Sequence, residues 1–95
     1  MANVNVKILV SAPKKKVYIS GSTKNLGEWD VTKAVEADGV ITKQFQEGTV
    51  VEFKVLSKKN WANVEKGSNG EEISNRSFVA AKGLVVKADV AKFNE

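Results

Sequence analysis

Apolar and polar side chains alternate with a period of two along several short stretches of this 95-residue chain. The alternation is clearest from Val4 to Val10 near the start and from Leu84 to Val90 near the end. Successive side chains of a strand point to opposite faces of a sheet, so this period indicates half-buried strands, whereas a surface helix would repeat every ~3.6 residues. The sequence therefore predicts a protein built from strands.

Further runs rich in β-branched and aromatic residues extend the pattern, namely Val17–Gly21, Val40–Phe45 and Val50–Leu56. In the last run Lys54 falls on the face opposite to Val51, Phe53 and Val55. The stretch from Ser22 to Asp38 is less regular, and its part from Thr32 to Ala37 fits either a helical turn or a small strand.

Two turn sequences predict hairpins. Gln46 to Thr49 separates two predicted strands by a connection of hairpin length and chemistry. Gly67 to Gly70 lies between Trp61–Lys66 and Glu71–Ile73. It contains Asn-Gly, the strongest short hairpin signal, because both residues accept positive φ angles.

The spacing of these segments predicts an all-β fold. Seven or eight short strands recur at intervals of about 8 to 12 residues, with no convincing amphipathic helix, which favours an antiparallel β-sandwich. The share of hydrophobic residues, 42%, is ordinary for a folded domain. Because one core normally needs roughly 100 to 200 residues, residues 1–95 are predicted to form a single domain.

The composition argues against most hydrolytic mechanisms. The chain has no Cys and no His, so disulfides, thiolate metal sites and the commonest metal ligand are missing. Glu28 and Asp30 lie two apart, but a sandwich of this size has little volume to enclose a catalytic cleft between carboxylates. Glu71 and Glu72 lack the spaced ligands of a calcium site. No catalytic residue, metal site or cofactor is predicted.

The apolar runs, such as Ile8 to Val10, are far shorter than the roughly 20 residues that span a bilayer, so no membrane partner is predicted. The first residues lack the basic and apolar regions of a signal peptide, but a domain cut from a secreted enzyme would lack them too. Localisation therefore stays open: secreted if the chain belongs to an amylase-type enzyme, cytoplasmic if it stands alone.

The chain carries a net charge of +4, with lysine runs at Lys14–Lys16 and Lys58–Lys59 that raise the question of nucleic acid binding. Sheets that bind single-stranded nucleic acid alternate several aromatic residues with basic ones on one face. Such interleaving is poor here. The lysine runs are interpreted as solvated charge, and no nucleic acid partner is predicted.

The two tryptophans, Trp29 and Trp61, both lie in polar, turn-like sequence. Position alone leaves burial and exposure open for each. Together they suggest a surface aromatic platform. The flat face of an indole ring suits the apolar face of a pyranose, because sugar C–H groups meet the ring while the hydroxyls at the sugar's edge stay free to form hydrogen bonds.

Several motifs of the chain, in a fixed order, resemble those of the starch-binding domain, carbohydrate-binding module family 20. That family has a strand ending in Gly-Ser, a loop with Leu-Gly-x-Trp, a strand of the type Phe-Glu-Tyr-Lys-Phe, then a Trp and an Asn-Arg pair. This chain has Val17 to Ser22, Asn25 to Asp30, Val51 to Val55, Trp61 and Asn75-Arg76 in the same order. The similarity covers nearly the whole chain, from about position 4 to position 90.

The resemblance implies an immunoglobulin-like sandwich that binds α-1,4-linked glucans such as starch, glycogen, maltooligosaccharides or cyclodextrin without cleaving them. It implies that Trp29 and Trp61 stack on glucose rings and that Lys54 and Asn75 form hydrogen bonds with sugar hydroxyls. It also implies a monomeric module that brings a partner, or a parent amylolytic enzyme domain, to the polysaccharide.

The chain departs from the family pattern in two places. The segment between Trp61 and Asn75 is longer than usual, so Asn69 is an alternative to Asn75. The family's second sugar site uses aromatic residues where this chain has Pro13–Lys16 and Gly39, so a single sugar site is expected. The functional alternative is an immunoglobulin-like protein-interaction domain, with the tryptophans as core or interface residues and no sugar ligand.

Overall fold

A computed structural model describes residues 2–94 of the chain. In chain order the strands are β1 (Asn3–Ser11), β2 (Lys16–Gly21), β3 (Val35–Asp38), β4 (Val40–Gln46), β5 (Val50–Leu56), β6 (Glu65–Lys66), β7 (Arg76–Val79), β8 (Val85–Asp89) and β9 (Lys92–Phe93). Three short 3₁₀ turns are formed by Lys24–Leu26, Val31–Lys33 and Trp61–Asn63.

The strands form two main sheets. The first sheet has the order β4-β1-β8 and the second the order β3-β2-β5-β7, while β6 and β9 pair only with each other. Every pair of neighbouring strands is antiparallel except β1 with β8, which is parallel. The predicted all-β sandwich is therefore confirmed. Its two main sheets contain seven strands of the described chain, and β6 and β9 add two residues each.

The core lies between the two sheets and follows the alternation read from the sequence. Val4, Val6 and Ile8 of β1 are buried, as are Val51, Phe53 and Val55 of β5. Phe78 of β7 packs edge-on against Phe45 of β4, with ring centroids 5.4 Å apart, and so joins the two sheets. Lys54 lies on the outer face of the second sheet, as its position in the alternation predicts.

The irregular stretch after β2 contains both of the structures that its sequence allowed. A 3₁₀ turn at Val31–Lys33 is followed directly by the short strand β3. The side chain of Asp30 caps this turn by accepting a hydrogen bond from the N–H of Thr32. A capped turn of this kind satisfies a backbone donor that would otherwise have no partner.

The hairpin predicted at Gln46 to Thr49 is wrong. Thr49 does donate to the carbonyl of Gln46, but β4 belongs to the first sheet and β5 to the second. The connection crosses between the sheets, and two of its backbone donors bond distant segments: Glu47 N–H donates to the carbonyl of Ala2 and Gly48 N–H to the carbonyl of Ala80. Turn chemistry indicated where the chain reverses, not which strands pair.

The hairpin predicted around Asn69-Gly70 is also wrong as a strand pair. The turn exists and is closed by a hydrogen bond from Gly67 N–H to the carbonyl of Glu71, 2.8 Å. However, Glu71–Ile73 is not a strand, and the paired residues of the preceding segment bond elsewhere: Glu65–Lys66 pairs with β9, and Val64 forms a bridge with Leu56. The carbonyl of Ile73 accepts from a lysine side chain instead of a ladder partner.

Candidate functional site

A groove of about 510 Å³ opens over the outer face of the second sheet. We call it the tryptophan groove. It is lined by Trp29, Lys54, Trp61, Val64, Lys66, Glu72 and Asn75. The structure thus brings together all four residues singled out from the sequence, although they come from widely separated parts of the chain.

The backbone around Trp29 is held in an uncommon conformation. Gly27, Glu28 and Trp29 have φ angles of 86°, 50° and 66°, all in the left-handed region. For residues with a Cβ this costs about 1–2 kcal/mol each. Three hydrogen bonds hold the loop: Glu28 N–H to Thr23, Trp29 N–H to Gly21 and Asp30 N–H to Gly27. These hydrogen bonds therefore fix the backbone of the loop that carries Trp29.

Asp30 fixes the end of the same loop, where the Val31–Lys33 turn begins. Its Oδ1 accepts from Thr32 Oγ1 at 2.7 Å and from Thr32 N–H at 3.0 Å. These hydrogen bonds, with a smaller contribution from the charge of Lys33, hold the pKa of the Asp30 carboxyl below its ordinary value of 3.8. The carboxylate is exposed and outside the groove.

Trp61 is the first residue of the third 3₁₀ turn and directly follows Asn60. The Asn60 side chain caps this turn by accepting from Ala62 N–H at 2.9 Å. The Trp61 side chain is 39% exposed, and Trp29 is half-buried. The centroids of the two indole rings lie 6.1 Å apart and their planes are inclined by 41°. Neither ring belongs to the core. The sequence left their burial open, and the structure places both at the surface.

Lys54 forms part of the floor of the groove. It lies opposite Ser20 in the pairing of β5 with β2. Its ammonium group donates to the carbonyl of Ile73, so the segment that follows the Gly67–Glu71 turn is drawn back over the sheet. An ammonium group has three donors, and two remain beyond this bond.

Asn75 is exposed at the edge of the groove, directly before β7. Asn69, the alternative left open by the sequence, lies in the Gly67–Glu71 turn, where its N–H bonds the carboxylate of Glu71. Asn69 does not line the groove. The geometry therefore favours Asn75.

Val64, Lys66 and Glu72 also line the groove and were missed by sequence reasoning. The ammonium of Lys66 lies 3.6 Å from the carboxylate of Glu72, and Glu72 is 89% exposed. All three residues belong to the segment between Trp61 and Asn75, in which the sequence singled out Asn69 alone as a possible site residue. The available signal was the spacing of Val64 and Lys66, because residues two apart in extended chain share a face.

The carboxylate pair considered from the sequence, Glu28 and Asp30, lies outside the groove. The Glu28 side chain, like that of Asp30, is exposed and does not line the groove. Within residues 2–94 no group of three or more acidic, His or Cys side chains is placed to hold a metal ion. No helix in that same range is long and apolar enough to cross a membrane.

The fold and the groove together define an all-β sandwich with an aromatic-lined groove on the outer face of one sheet. The family model described as "Starch binding domain" matches residues 2–89. The chain belongs to the starch-binding domain family. Among curated proteins, none matches it significantly.

Solved structures share the fold at low sequence identity. A γ-CGTase of alkalophilic Bacillus clarkii superposes with a TM-score of 0.63 at 17% identity, over 95% of this chain and 15% of that protein. The family 20 module of a maltotetraose-forming amylase from Pseudomonas saccharophila STB07 gives 0.55 at 20% identity, over 93% of this chain and 99% of the module.

A glycoside hydrolase family 15 glucoamylase from Hypocrea jecorina gives a TM-score of 0.61 at 20% identity, over 93% of this chain and 17% of the enzyme. The chain thus spans less than a fifth of the length of the two enzymes. At these identities the likeness establishes the fold.

Proposed function

We propose that residues 1–95 act as one non-catalytic module that binds α-1,4-linked glucans in the tryptophan groove. In this proposal Trp29 and Trp61 stack on glucose rings, while Lys54 and Asn75 donate hydrogen bonds to sugar hydroxyls. The observation that carries it is the convergence of these four side chains on one groove, with two indole rings 6.1 Å apart beside an ammonium and an amide.

The inclination of the rings supports an α-linked polymer as the ligand. Aromatic faces attract the C–H groups of a sugar, and each ring can carry one glucose face. Two planes inclined by 41° match successive sugar faces along a curved chain better than along a flat one. α-1,4-Linked glucans curve, whereas β-1,4-linked glucans extend as flat ribbons.

The expected affinity is modest. By analogy with bases on aromatic side chains, two stacks contribute about 1–3 kcal/mol each, and a few hydrogen bonds add about 1 kcal/mol each. Association costs at least about 4 kcal/mol. The upper end of this balance, about −6 kcal/mol, corresponds to a Kd of tens of micromolar, and smaller balances correspond to millimolar values.

Modest affinity suits a targeting role. On an insoluble polymer that repeats the same binding unit, a linked enzyme or partner gains through effective concentration rather than through tight binding. The γ-CGTase and the glucoamylase that share this fold are much longer than this chain. We therefore propose that a partner or a parent amylolytic enzyme domain benefits from the binding.

The arrangement of carboxylates supports a role without catalysis. Glycoside hydrolysis commonly needs two carboxyl groups on either side of the scissile bond. Among the described residues that line the groove, Glu72 is the one carboxylate, and it is 89% exposed and close to Lys66. The described lining of the groove therefore does not supply a pair of carboxyl groups flanking one bond.

The test is a calorimetric titration with maltoheptaose, repeated on Trp29→Ala and Trp61→Ala. Each variant loses one stack, so each should weaken binding by a factor of about 5 or more. Tyr18→Ala is the matched control, because Tyr18 is an aromatic of the same sheet that does not line the groove. It should keep the parent's Kd.

Two further titrations separate the alternatives. A β-1,4-linked oligosaccharide of equal length should bind at least tenfold more weakly than maltoheptaose. The Kd for maltoheptaose should hardly change with salt, whereas binding to a polyanion would weaken steeply. Folded Trp29→Ala and Trp61→Ala variants that bind like the parent would contradict the assignment. An unchanged Trp emission on adding maltoheptaose would favour a protein-interaction domain.

A further inference from the structure

An ion pair joins a buried carboxylate, Glu65, to a partly buried guanidinium, Arg76, and both residues are chain neighbours of groove residues. The carboxylate of Glu65 is fully buried and accepts from Nε and Nη2 of Arg76, the shortest contact being 2.7 Å. It also accepts from the backbone N–H of Val55 at 2.9 Å. Nη2 of Arg76 donates in addition to the carbonyl of Asp89, 2.7 Å. Burying a charge is costly unless it is paired in this way.

Three members of this cluster, Val55, Glu65 and Arg76, are chain neighbours of groove residues. Val55 directly follows Lys54, and Arg76 directly follows Asn75. Glu65 lies between the groove residues Val64 and Lys66. In extended chain, adjacent side chains point to opposite sides, so fixing one residue fixes the direction of its neighbour. One carboxylate thereby ties together three segments, from β5, β6 and β7, that supply four of the groove residues.

We propose that Glu65 and Arg76 are positioning residues for glucan binding, which rests on the function proposed above. Neither residue touches the ligand. They hold Lys54, Lys66 and Asn75 in their bound directions before the glucan arrives. A ligand then pays less to order the groove, and preorganisation of this kind raises affinity without adding a contact.

The planar guanidinium group of Arg76 suits this role better than an ammonium group would. Arg76 meets the carboxylate through two nitrogens and reaches the carbonyl of Asp89 through one of them. A lysine keeps the charge, but a single ammonium cannot reproduce the planar two-point geometry. Arg76→Lys therefore loosens the clamp and preserves its charge. Glu65→Gln keeps the volume and an acceptor for Val55 N–H, and removes the charge.

The experiment is a double-mutant cycle on maltoheptaose affinity, measured by calorimetry on folded protein. Asn75→Ala should weaken binding about fivefold in the parent, the equivalent of one hydrogen bond. Arg76→Lys should weaken it by a similar factor. In the combined variant, Asn75→Ala should add less than about twofold, because Asn75 is no longer held in place. Glu65→Gln should lower affinity in the same direction as Arg76→Lys.

Val6→Ala is the control for a merely structural role. Val6 is fully buried in β1, in the other sheet, so its truncation lowers stability without touching the groove. Val6→Ala should retain the parent's Kd at temperatures where it is folded. If Arg76→Lys and Glu65→Gln are destabilised but also keep the parent's Kd, or if Asn75→Ala costs the same factor in both backgrounds, the inference is overturned.

A measurement on the unmodified chain covers the case in which these variants do not fold. Amide hydrogen exchange of residues 64–66 and 76 should already be slow without maltoheptaose, and the sugar should add only the uniform protection that binding gives to the whole fold. Protection that appears only with the sugar would overturn preorganisation while leaving glucan binding intact. A parent chain that fails to bind maltoheptaose would instead overturn the proposed function and this inference with it.

Discussion

Gly21 is the position at which the smallest substitution should disturb both the sheet and the groove. Its φ angle is not left-handed, so alanine is excluded there by space and not by backbone conformation. A Cβ would lie 2.6 Å from Cδ1 of Leu26 and 2.7 Å from the carbonyl oxygen of Glu52. Carbon atoms in contact normally sit about 3.5–4.0 Å apart, so the overlap with Leu26 is roughly 1 Å.

Neither neighbour can easily yield. Leu26 is fully buried in the core. The Glu52 carbonyl accepts a hydrogen bond from Ser22 N–H at 2.8 Å. The strand must shift instead, and overpacking of this kind costs about 1–3 kcal/mol. For a domain of this size, 2 kcal/mol lowers Tm by roughly 8–16 °C. The shift also moves the Gly21 carbonyl, which accepts from Trp29 N–H at 2.9 Å.

Gly21→Ala should therefore lower the free energy of unfolding by about 2 kcal/mol and weaken maltoheptaose binding about fivefold by displacing one stacking ring. Denaturant unfolding followed by circular dichroism gives the first quantity and calorimetry the second. Ser20→Ala is the adjacent control: the Ser20 hydroxyl is buried with no hydrogen-bond partner among residues 2–94. Its removal should leave stability equal or slightly higher.

Two results would refute this reasoning. A Gly21→Ala chain that unfolds within about 0.5 kcal/mol of the parent would mean that the strand absorbs the extra methyl group without strain. A destabilised chain with the parent's Kd would mean that Trp29 does not depend on the Gly21 carbonyl for its position. The two outcomes are independent, because stability and affinity are measured separately.

Two more substitutions test single side chains. Lys54→Met keeps the apolar stem but removes the donor to Ile73 and to the proposed ligand; hydrogen bonds to charged groups contribute about 1.5–3 kcal/mol, so calorimetry should show maltoheptaose affinity at least tenfold weaker. The lowered pKa of Asp30 means that its ionised form stabilises the fold fully above roughly pH 4, and that this contribution disappears as pH falls through the lowered value. In denaturant melts across pH, Asp30→Ala should be less stable than the parent near neutrality, and this difference should narrow in acid.

The sequence predicted those parts of the fold that depend on a repeating pattern. The alternation in β1 and β5 identified the buried faces, because burial on one side of a sheet imposes a period of two. Strand pairing was less accessible. Gln46 to Thr49 has hairpin chemistry, yet it joins different sheets, and two of its donors bond Ala2 and Ala80 far along the chain. Such long-range partners leave no local trace in the sequence.

The groove residues likewise differ in how far the sequence could predict them. Lys54 could be assigned to an outer face from its own strand. Trp29 and Trp61 could be assigned to turns, but their exposure depends on how separate loops meet over the sheet. Glu72 could not be predicted at all, since its place near Lys66 follows from the path of the chain after the Gly67–Glu71 turn.

This division has a physical consequence for how the module tolerates change. Most groove residues lie in loops and turns, while the free energy of folding comes mainly from apolar burial between the sheets. Substitutions in the core should therefore alter stability and leave affinity alone, and exposed groove substitutions should do the reverse. The two properties are coupled only where one residue belongs to both systems. Gly21, Glu65 and Arg76 are such residues: each is packed or bonded into the sandwich while its backbone or side chain fixes a groove residue. Loss of binding together with loss of stability should concentrate at these positions.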